Sequence, residues 1–267
     1  MISMLPEKSK RKRVYQYLLN RMQEDGCIHF ALIDPEKTDP DTAAKISKIA
    51  EEEGTAAIML GGSLGVAEEQ LDKTIQAIKK NGVKLPIILF PGNINGISRY
   101  ADAIWFLSVL NSTSIYHIIG AQVQGAVIVK RYGIEPLSLA YLILGTGGAA
   151  GYVSYSRPIP FEHPEIATAY ALAAEYLGFE FVYLEGGSGG KPVPENVILL
   201  VKKTVEIPVI VGGGIRTREL AKRAARAGAD AIVTGTVLEK EKDPRDVIIE
   251  IIEGIREGVQ ERARPST

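Results

Sequence analysis

Eight short apolar runs are the feature of this 267-residue sequence that most narrows the choice of fold. Each run has the length of a strand, and most are continuous rather than alternating and rich in Val, Ile and Leu. Continuous apolar strands are typical of a parallel sheet that is buried on both faces. The runs are IHFALID (28–34), AAIMLGG (56–62), PIILFPG (86–92), AIWFLSVL (103–110), SLAYLILG (138–145), FVYLEGG (181–187), PVIVGGG (208–214) and AIVTGT (231–236).

Helical patterns lie between these runs. DPDTAAKISKIAEEEG has Asp and Thr near its start and ends at Gly54, and AEEQLDKTIQAIKKNG ends at Gly82 with lysines in its last turn. Both patterns suit helix termini and the helix dipole. Alternating strands and helices predict an α/β fold, and eight such units are the count of the (β/α)8 TIM barrel. A doubly wound sheet is the alternative, but the even spacing of eight strands favours a closed barrel.

One of the eight units is irregular. Only NINGISRYAD, residues 93–102, separates the third run from the fourth. A parallel crossover usually needs about a dozen residues or more. We therefore predict a modified barrel whose third helix is missing or reduced to a turn. We expect residues 1–267 to form a single TIM-barrel domain, with an N-terminal helix at about 10–25 and a frayed C-terminal tail at 259–267.

Composition argues against several classes of protein. The 31 Lys and Arg residues balance 32 Asp and Glu residues, so no basic excess points to nucleic acid as a partner. Cys27 is the only cysteine, and its place before a strand favours a small buried residue over a reactive thiol. The longest apolar runs are strand-sized, and the N-terminus lacks the pattern of a signal peptide. We therefore expect a cytoplasmic protein.

Two glycine motifs predict a phosphate site. In a TIM barrel the active site lies at the carboxyl ends of the strands, and the loops after strands seven and eight often bind phosphate. VGGGIRT ends the seventh run and TGT ends the eighth. Glycines let the backbone approach an anion, and free N–H groups at a helix start point towards it. Either motif alone could be a tight turn, but the two together favour a phosphate site.

Two acidic residues end other strands. Asp34 closes the first run and is a candidate ligand for a hard cation such as Mg²⁺, or a cap for the following turn. Ser63, after the second run, could complete that site or cap the next helix. Glu185 closes the sixth run and could act as a general base on a hydroxyl, hold that hydroxyl in position, or pair with a lysine. Tyr183 lies two residues before Glu185 and therefore on the same face of the strand. None of the three histidines lies at a metal-ligand spacing from another.

The motifs HFALIDPEK, IMLGGS, VYLEGGSGG, VGGGIRT and VTGT, in this order, resemble the geranylgeranylglyceryl phosphate synthase family of archaeal ether lipid synthesis, which has bacterial relatives. The resemblance covers roughly residues 13–258, and YLEGGSG is its most specific part. It implies a barrel without its third helix and transfer of a polyprenyl group, such as geranylgeranyl, from a diphosphate to the 3-hydroxyl of sn-glycerol 1-phosphate. The product would carry the first ether bond of ether-linked membrane lipids.

The same resemblance implies roles for individual residues. Asp34 and Ser63 would hold Mg²⁺ against the diphosphate, and Glu185 would be the catalytic residue. The glycerol phosphate would be bound by Tyr183, Leu184, Glu185, Gly186, Gly187, Ser188, Gly189, Gly213, Gly214, Ile215, Gly235 and Thr236. Some relatives carry a lysine at the position of Leu32, so this chain departs from them there; Arg216 or Lys191 could compensate.

The prenyl tail requires an apolar groove. Its candidate lining residues are Trp105, Phe106, Tyr141, Tyr152 and Tyr155, although Trp105 and Tyr141 suit core packing equally well. The segment TGGAAGYVSYSRPIPFE is long enough to be a lid over the site.

The expected partners are sn-glycerol 1-phosphate and a polyprenyl diphosphate, with transient contact with the membrane through the lipid product. We also expect a homo-oligomer, a dimer or a hexamer, in which the apolar helix YHIIGAQVQGAVIV is a plausible interface, although it could equally pack on its own barrel. Another phosphate-binding TIM-barrel enzyme, such as a sugar-phosphate isomerase or lyase, is the alternative function, and a non-catalytic barrel that binds phosphorylated ligands is a third.

Overall fold

The computed structural model describes residues 12–62, 64, 66–240 and 243–263. Eight parallel strands form a closed barrel in which each strand pairs with the next and β8 pairs with β1. The predicted α/β barrel is therefore confirmed. The strands are β1 Ile28–Ile33, β2 Ala57–Leu60, β3 Ile87–Leu89, β4 Ala103–Val109, β5 Glu135–Ile143, β6 Phe181–Glu185, β7 Val209–Gly212 and β8 Ala231–Thr234.

Helices surround the barrel on most of its circumference. The predicted helix ends are present: the Asp39 side chain accepts hydrogen bonds from the backbone N–H groups of Asp41 and Thr42, and Gly54 adopts a left-handed φ of 103°. The helices are α1 Arg13–Asp25, α2 Pro40–Glu53, α3 Glu68–Lys80, the π-helix Tyr116–Gly120 with α4 Ala121–Tyr132, α5 Gly148–Val153, α6 Pro164–Tyr176, α7 Glu195–Thr204, α8 Arg218–Arg226, α9 Thr236–Lys240 and α10 Arg245–Ala263.

The connection between β3 and β4 contains no helix. All of residues 90–102 are described, and they form turns and bends only. The Asn93 side chain accepts a hydrogen bond from the backbone N–H of Asn95 at 2.9 Å, which turns the chain back sharply. The prediction that the third barrel helix is missing is confirmed.

Helix α1 closes the amino-terminal end of the barrel. Val14, Leu18 and Met22 are buried in the cluster that fills the barrel interior, together with Phe30 and Trp105. The helix begins at Arg13, within the predicted range, and residues 1–11 lie outside the described part. The described residues therefore pack the interior of the barrel at this end.

The chain continues as a helix further than expected. We predicted a frayed tail from residue 259, but α10 runs to Ala263; residues 264–267 lie outside the described part. The Arg262 guanidinium donates hydrogen bonds to the backbone carbonyls of Ala225 and Gly26, at 3.3 and 2.8 Å. Composition alone does not reveal these distant acceptors, which hold the last turn of the helix on the barrel.

Two buried titratable side chains belong to the framework. Cys27 is buried, as predicted, and burial raises the pKa of its thiol. His29 is buried between Thr55 and Thr234, whose hydroxyls each lie 2.8 Å from a ring nitrogen, and burial lowers its pKa to about 3. Both side chains are therefore uncharged near neutral pH. Within the described residues, none of the helices combines the length and apolar character needed to cross a membrane.

Candidate active site

A cavity of about 280 Å³ opens at the carboxyl ends of the strands. Its polar part lies over the barrel mouth, where backbone glycines and two carboxylates face the opening. Its apolar part continues past the end of β3 towards α4. The polar part is lined by Asp34, Lys37, Gly61, Gly62, Glu185, Ser188, Gly189, Gly213, Gly214, Arg216, Gly235 and Thr236.

The glycines after β7 adopt conformations that other residues rarely take. Gly213 and Gly214 have φ values of 83° and 77°. A Cβ on Gly213 would lie 2.5 Å from the backbone nitrogen of Gly187, and one on Gly214 would lie 2.7 Å from the carbonyl oxygen of Gly190. The loops after β6 and β7 therefore touch backbone to backbone, and the cavity between them is lined by main-chain groups suited to an anion.

Glu185 is the carboxylate at the centre of the mouth. It is 5% exposed, its Oε1 accepts a hydrogen bond from the Gly187 N–H at 2.6 Å, and its Oε2 accepts one from the Tyr141 hydroxyl at 3.0 Å. Burial raises the pKa of Glu185, while hydrogen bonds from Gly187, Tyr141 and Tyr183 act in the opposite direction. A buried carboxylate whose charged form is stabilised only by hydrogen bonds is suited to accept a proton.

Aromatic rings support this carboxylate from below. Tyr141 on β5 is in register with Tyr183 on β6, and their ring centroids are 5.0 Å apart. Phe90 packs against both rings. Burial raises the pKa of both tyrosine hydroxyls well above its usual value, so both remain protonated donors. Gly212 makes room for the Tyr183 hydroxyl, because any side chain at that position would overlap it.

Asp34 lies on the opposite side of the mouth. Its Oδ2 is 2.7 Å from the Lys37 ammonium, and its Oδ1 accepts a hydrogen bond from the Glu36 N–H at 3.1 Å. A Cβ on Gly62 would lie 2.6 Å from Oδ1, so a side chain at that position would displace the carboxylate. The predicted partner Ser63 lies outside the described residues. In the part of the chain that is described, no cluster of three His, Cys, Asp or Glu side chains could hold a metal ion.

The apolar end of the cavity occupies the side from which the third helix is missing. Its walls come from the β3–β4 connection, the outer face of β4 and helix α4. Trp105 and Tyr141, two of the predicted groove residues, line the cavity near its polar end. Among the described residues, Trp105 Nε1 and Gln122 Oε1 are the buried side-chain polar atoms without a hydrogen-bond partner, and both residues line this cavity. The apolar walls are formed by Ile97, Ile104, Phe106, Gly125 and Val129.

The segment predicted to be a lid lies over the cavity. It contains α5, and Ala150, Val153 and Ser154 line the cavity wall. Tyr152 and Tyr155, which we expected in the groove, are instead 86% and 66% exposed and do not line the cavity. They fail as groove residues because Tyr152 lies on the outer face of α5 and Tyr155, two residues after the end of this helix, is also directed outwards.

The predicted site residues other than Ser63, which lies outside the described residues, fall into three groups. Asp34, Tyr183, Glu185, Ser188, Gly189, Gly213, Gly214, Ile215, Gly235 and Thr236 line one cavity. Gly186 and Gly187 lie just behind it: the Gly186 N–H bonds to the carbonyl of Gly212, and the Gly187 N–H bonds to Glu185. The Leu184 side chain does not line the cavity and is buried between strands and helices, because neighbouring strand residues face opposite ways.

Sequence reasoning missed several cavity residues. Lys37 could have been found from its spacing, because it follows Asp34 by three residues in a tight turn. Phe90 lies within the third predicted run, PIILFPG, directly after the end of β3. His117 and Gln122 lie on the π-helix and α4, a segment for which the sequence left open an interface or packing on its own barrel. No local pattern signals that these two helices form the wall of the site.

The chain is similar to proteins of one family along most of its length. The PcrB family matches residues 20–255. The chain is 56% identical to the geranylgeranylglyceryl phosphate synthase of Thermofilum pendens over 254 residues, which are 95% of this chain and 99% of that protein.

Two solved structures resemble the whole barrel. The (S)-3-O-geranylgeranylglyceryl phosphate synthase of Thermoplasma acidophilum, in complex with its substrate sn-glycerol-1-phosphate, superposes with a TM-score of 0.88 at 42% identity over 92% of this chain and 98% of that chain. A homologue from Thermoplasma volcanium superposes with a TM-score of 0.86 at 44% identity over 91% and 97% of the two chains.

Proposed function

Because the chain belongs to the PcrB family, we propose that it is a prenyltransferase that joins a polyprenyl diphosphate to the 3-hydroxyl of sn-glycerol 1-phosphate. The observation that carries this proposal is the two-part cavity: glycine loops at one end, an apolar channel at the other, and Glu185 at their junction. The similarity to a barrel that binds sn-glycerol-1-phosphate supports the polar end as the acceptor site. An isomerase or lyase of sugar phosphates would have no use for the apolar channel.

The chemistry that we propose centres on Glu185. The acceptor oxygen forms the new ether bond to the allylic carbon, the bond from that carbon to the diphosphate breaks, and the hydroxyl proton passes to the Glu185 carboxylate. The hydrogen bonds from Tyr141 and Gly187 hold the carboxylate in one orientation throughout. Because burial raises its pKa, Glu185 is a stronger base than a solvated carboxylate.

The glycerol phosphate would lie across the loops after β6, β7 and β8. Ser188 and Gly189 line one side of this space, Gly213 and Gly214 the middle, and Thr236 begins α9 on the other side. Main-chain N–H groups at these positions would bind the phosphate without needing the lysine that Leu32 replaces. The predicted substrate-binding roles are kept for these residues as part of the proposal.

Magnesium dependence belongs to the same proposal. The donor set fits Mg²⁺, which is usually held by one or two carboxylates, substrate phosphate oxygens and water rather than by a protein cage. Asp34 supplies such a carboxylate at the mouth, and Ser63 remains its predicted partner. When bound, the ion would neutralise charge on the departing diphosphate. Substitution of Asp34 by Asn is expected to weaken the response to Mg²⁺.

The prenyl tail would lie in the channel left by the missing helix. Ile97, Phe106 and Val129 give this channel apolar walls, and the barrel mouth opens directly into it. An extended hydrocarbon chain would thus cover strand surface that a helix covers elsewhere in the barrel, and its reactive end would lie beside Glu185.

Self-association is a further part of the proposal. Ile115, Ile119, Val123 and Val127 are spaced four residues apart on the π-helix and α4, and each is more than half exposed. Such a stripe supports a homodimer or a larger ring. Ile119→Lys should lower the mass of the particle measured by light scattering, and an unchanged mass would exclude this stripe as the interface.

The cytoplasmic location expected from the sequence is part of the same proposal. Brief contact with the membrane follows from the proposed product, which carries a long hydrocarbon chain and must reach a bilayer. Flotation with liposomes during turnover measures this contact. Protein that floats only when both substrates are present would support it, and protein that never floats would oppose it.

The reaction is tested by incubating the protein with radiolabelled glycerol 1-phosphate, Mg²⁺ and prenyl diphosphates of several lengths, and then extracting lipid-soluble label. Glu185→Gln should lower kcat by about 10²–10⁴-fold, the usual effect of losing a general base. The exposed Glu24→Gln, on α1 at the opposite end of the barrel, is the control and should keep full activity. Absence of lipid-soluble label at every chain length would overturn the proposal and favour a different phosphate-binding enzyme.

The pH profile gives a second readout of the same residue. The carboxylate must lose its proton before it can act as a base, and its raised pKa moves that loss to higher pH. Activity should therefore fall as pH falls through a value above the normal glutamate range, and Glu185→Gln should remove this limb. A wild-type profile that is flat in this range would reassign Glu185 to positioning alone.

A further inference from the structure

The cavity presents few positive charges to two anionic substrates. Among its described lining residues, Lys37 and Arg216 are the only ones that carry a permanent cation. Asp34 and Glu185 add negative charge to the same mouth. If the proposed function is right, a phosphate and a diphosphate must both bind here, so the positions of these two cations determine where each anion is favoured.

Lys37 lies on the same side of the mouth as Asp34. Its backbone N–H donates to the Asp34 carbonyl at 3.0 Å, which closes a turn directly after β1. Its ammonium returns to the Asp34 carboxylate, at 2.7 Å, although the side chain is 66% exposed. An ammonium on a flexible stem of four carbons can move between neighbouring anions. It is therefore placed to contact any anion that approaches Asp34.

Arg216 lies on the opposite side, after the glycines that follow β7. Its Nη2 donates to the carbonyl of Gly190 at 3.0 Å, so the guanidinium joins the loop after β7 to the loop after β6. Ser188 and Gly189, on the same β6 loop, line the cavity. The planar guanidinium offers five donors in a fixed fork, an arrangement that matches the oxygens of a phosphate.

We propose that these two cations divide the anions between them: Lys37 contacts the diphosphate of the prenyl donor, and Arg216 contacts the phosphate of the acceptor. This inference rests on the proposed function. It assigns opposite ends of one mouth to the two substrates.

Isothermal titration of the whole protein with two small probes tests this division. The probes are inorganic pyrophosphate and glycerol 1-phosphate. Lys37→Gln should weaken pyrophosphate binding by about 10- to 100-fold, the usual value of one charge-assisted hydrogen bond, and change glycerol phosphate binding less than about twofold. Arg216→Gln should show the reverse pattern.

Two exposed lysines on the outer helices provide controls. Lys203 lies on α7 and Lys45 on α2, and neither lines the cavity. Their Gln variants should bind both probes as the wild type does, and thermal melts should show that all four variants are folded. If Lys37→Gln and Arg216→Gln each weakened the binding of both probes equally, the two cations would act through one shared electrostatic field. That result would overturn the division.

The pyrophosphate titration is repeated with and without Mg²⁺. A direct contact predicts that Lys37→Gln weakens binding under both conditions. A loss that appears only with Mg²⁺ would mean that Lys37 acts through Asp34, and it would also overturn the inference. In turnover, the KM for the prenyl donor should rise in Lys37→Gln, and the KM for the acceptor should rise in Arg216→Gln.

The proposed reaction and the proposed division of the anions can be contradicted independently of each other. If the wild type forms no lipid product but the two variants still discriminate between the probes, the proposed reaction fails and the division of charge remains. If product forms and the variants bind both probes normally, only the division fails.

Discussion

Two sides of this barrel cover the outer face of their strands in different ways. On the covered side, which comprises β7, α8, β8 and α10, helices pack directly on the strands and on each other. On the open side, which comprises β3, residues 90–102, β4 and α4, a helix is missing and a cavity extends into the space. The covered side contributes mainly to stability, and the open side supplies a surface that a substrate can complete.

Helix contact on the covered side depends on two glycines of α10. Side chains at Gly254 and Gly258 would overlap the backbone carbonyls of Arg218 and Lys222 on α8. Charged residues then surround this contact: Arg218 pairs with Glu253 and Glu257, and Lys222 pairs with Glu261. On the open side, by contrast, a Cβ on Gly125 would only touch the Ile97 side chain, at an ordinary 3.5 Å.

The largest expected effect comes from adding one methyl group at each of these contacts. Gly258→Ala should lower the free energy of unfolding by about 3 kcal/mol, because α8 and α10 must separate to admit it. Gly125→Ala should raise it by up to about 1 kcal/mol, because alanine is the better helix former. Urea denaturation measures both, and equal changes in the two variants would remove the distinction between the sides.

Two histidines provide the next comparison. His29 beside β8 is fully enclosed, whereas His117 lines the cavity, and burial lowers the pKa of each, that of His29 to about 3. In the unfolded chain His29 binds a proton near pH 6.5, whereas in the folded protein it stays neutral down to about pH 3. The contribution of His29 to stability is therefore complete above pH 6.5 and is lost as pH falls towards 3, by about 1.4 kcal/mol for each pH unit.

Denaturation between pH 7 and pH 4 separates the two sites. His29→Gln should flatten the dependence of stability on pH, whatever its effect on stability at neutral pH. His117→Gln should leave most of the slope intact. If the His29 variant kept the wild-type slope, other groups would be responsible for the acid sensitivity.

Filling the cavity on the open side should lower kcat/KM without lowering the melting temperature. Leucine at Gly125 would occupy the cavity between Ile97 and Val129, so kcat/KM for the prenyl donor should fall by about tenfold. The melting temperature should not fall, because leucine favours the helix more than glycine does. Val127→Leu, on the exposed stripe of the same helix, is the control and should keep normal kinetics. Loss of acceptor or pyrophosphate binding in Gly125→Leu would place the defect elsewhere.

The smallest effect is expected from the surface charges of the covered side. Arg218→Gln should lower the melting temperature slightly, and 1 M salt should remove the difference, because exposed ion pairs are weak and screened. Lys73→Gln breaks a single exposed pair with Glu69 on α3 and should change the melting temperature less. A defect of Arg218→Gln that persists in high salt would indicate lost packing rather than lost charge.

The two sides also differ in how far the sequence predicts them. Repeated strands and capped helices are local patterns, so the barrel, the absent third helix and the glycine loops could be inferred from consecutive residues. The walls of the channel could not, because Ile97, Gln122 and Val129 meet through a gap in the helix layer. Likewise, the bond between Tyr141 and Glu185 depends on the register of β5 and β6, which the strand sequences do not specify.

The closing helix α1 has a consequence for the order in which the chain is made. The backbone N–H groups of Val14 and Tyr15 donate to the Glu135 carboxylate, at 2.9 and 2.8 Å, across a sequence separation of 121 residues for the first of them. At ordinary ribosome speeds, roughly 6–24 s separate the synthesis of these two partners. During that interval Val14, Leu18 and Met22 have no barrel floor to cover them. Among the helices of the described residues, α1 is therefore made first and is among the last that can dock, so its apolar face stays uncovered until the barrel strands have been made.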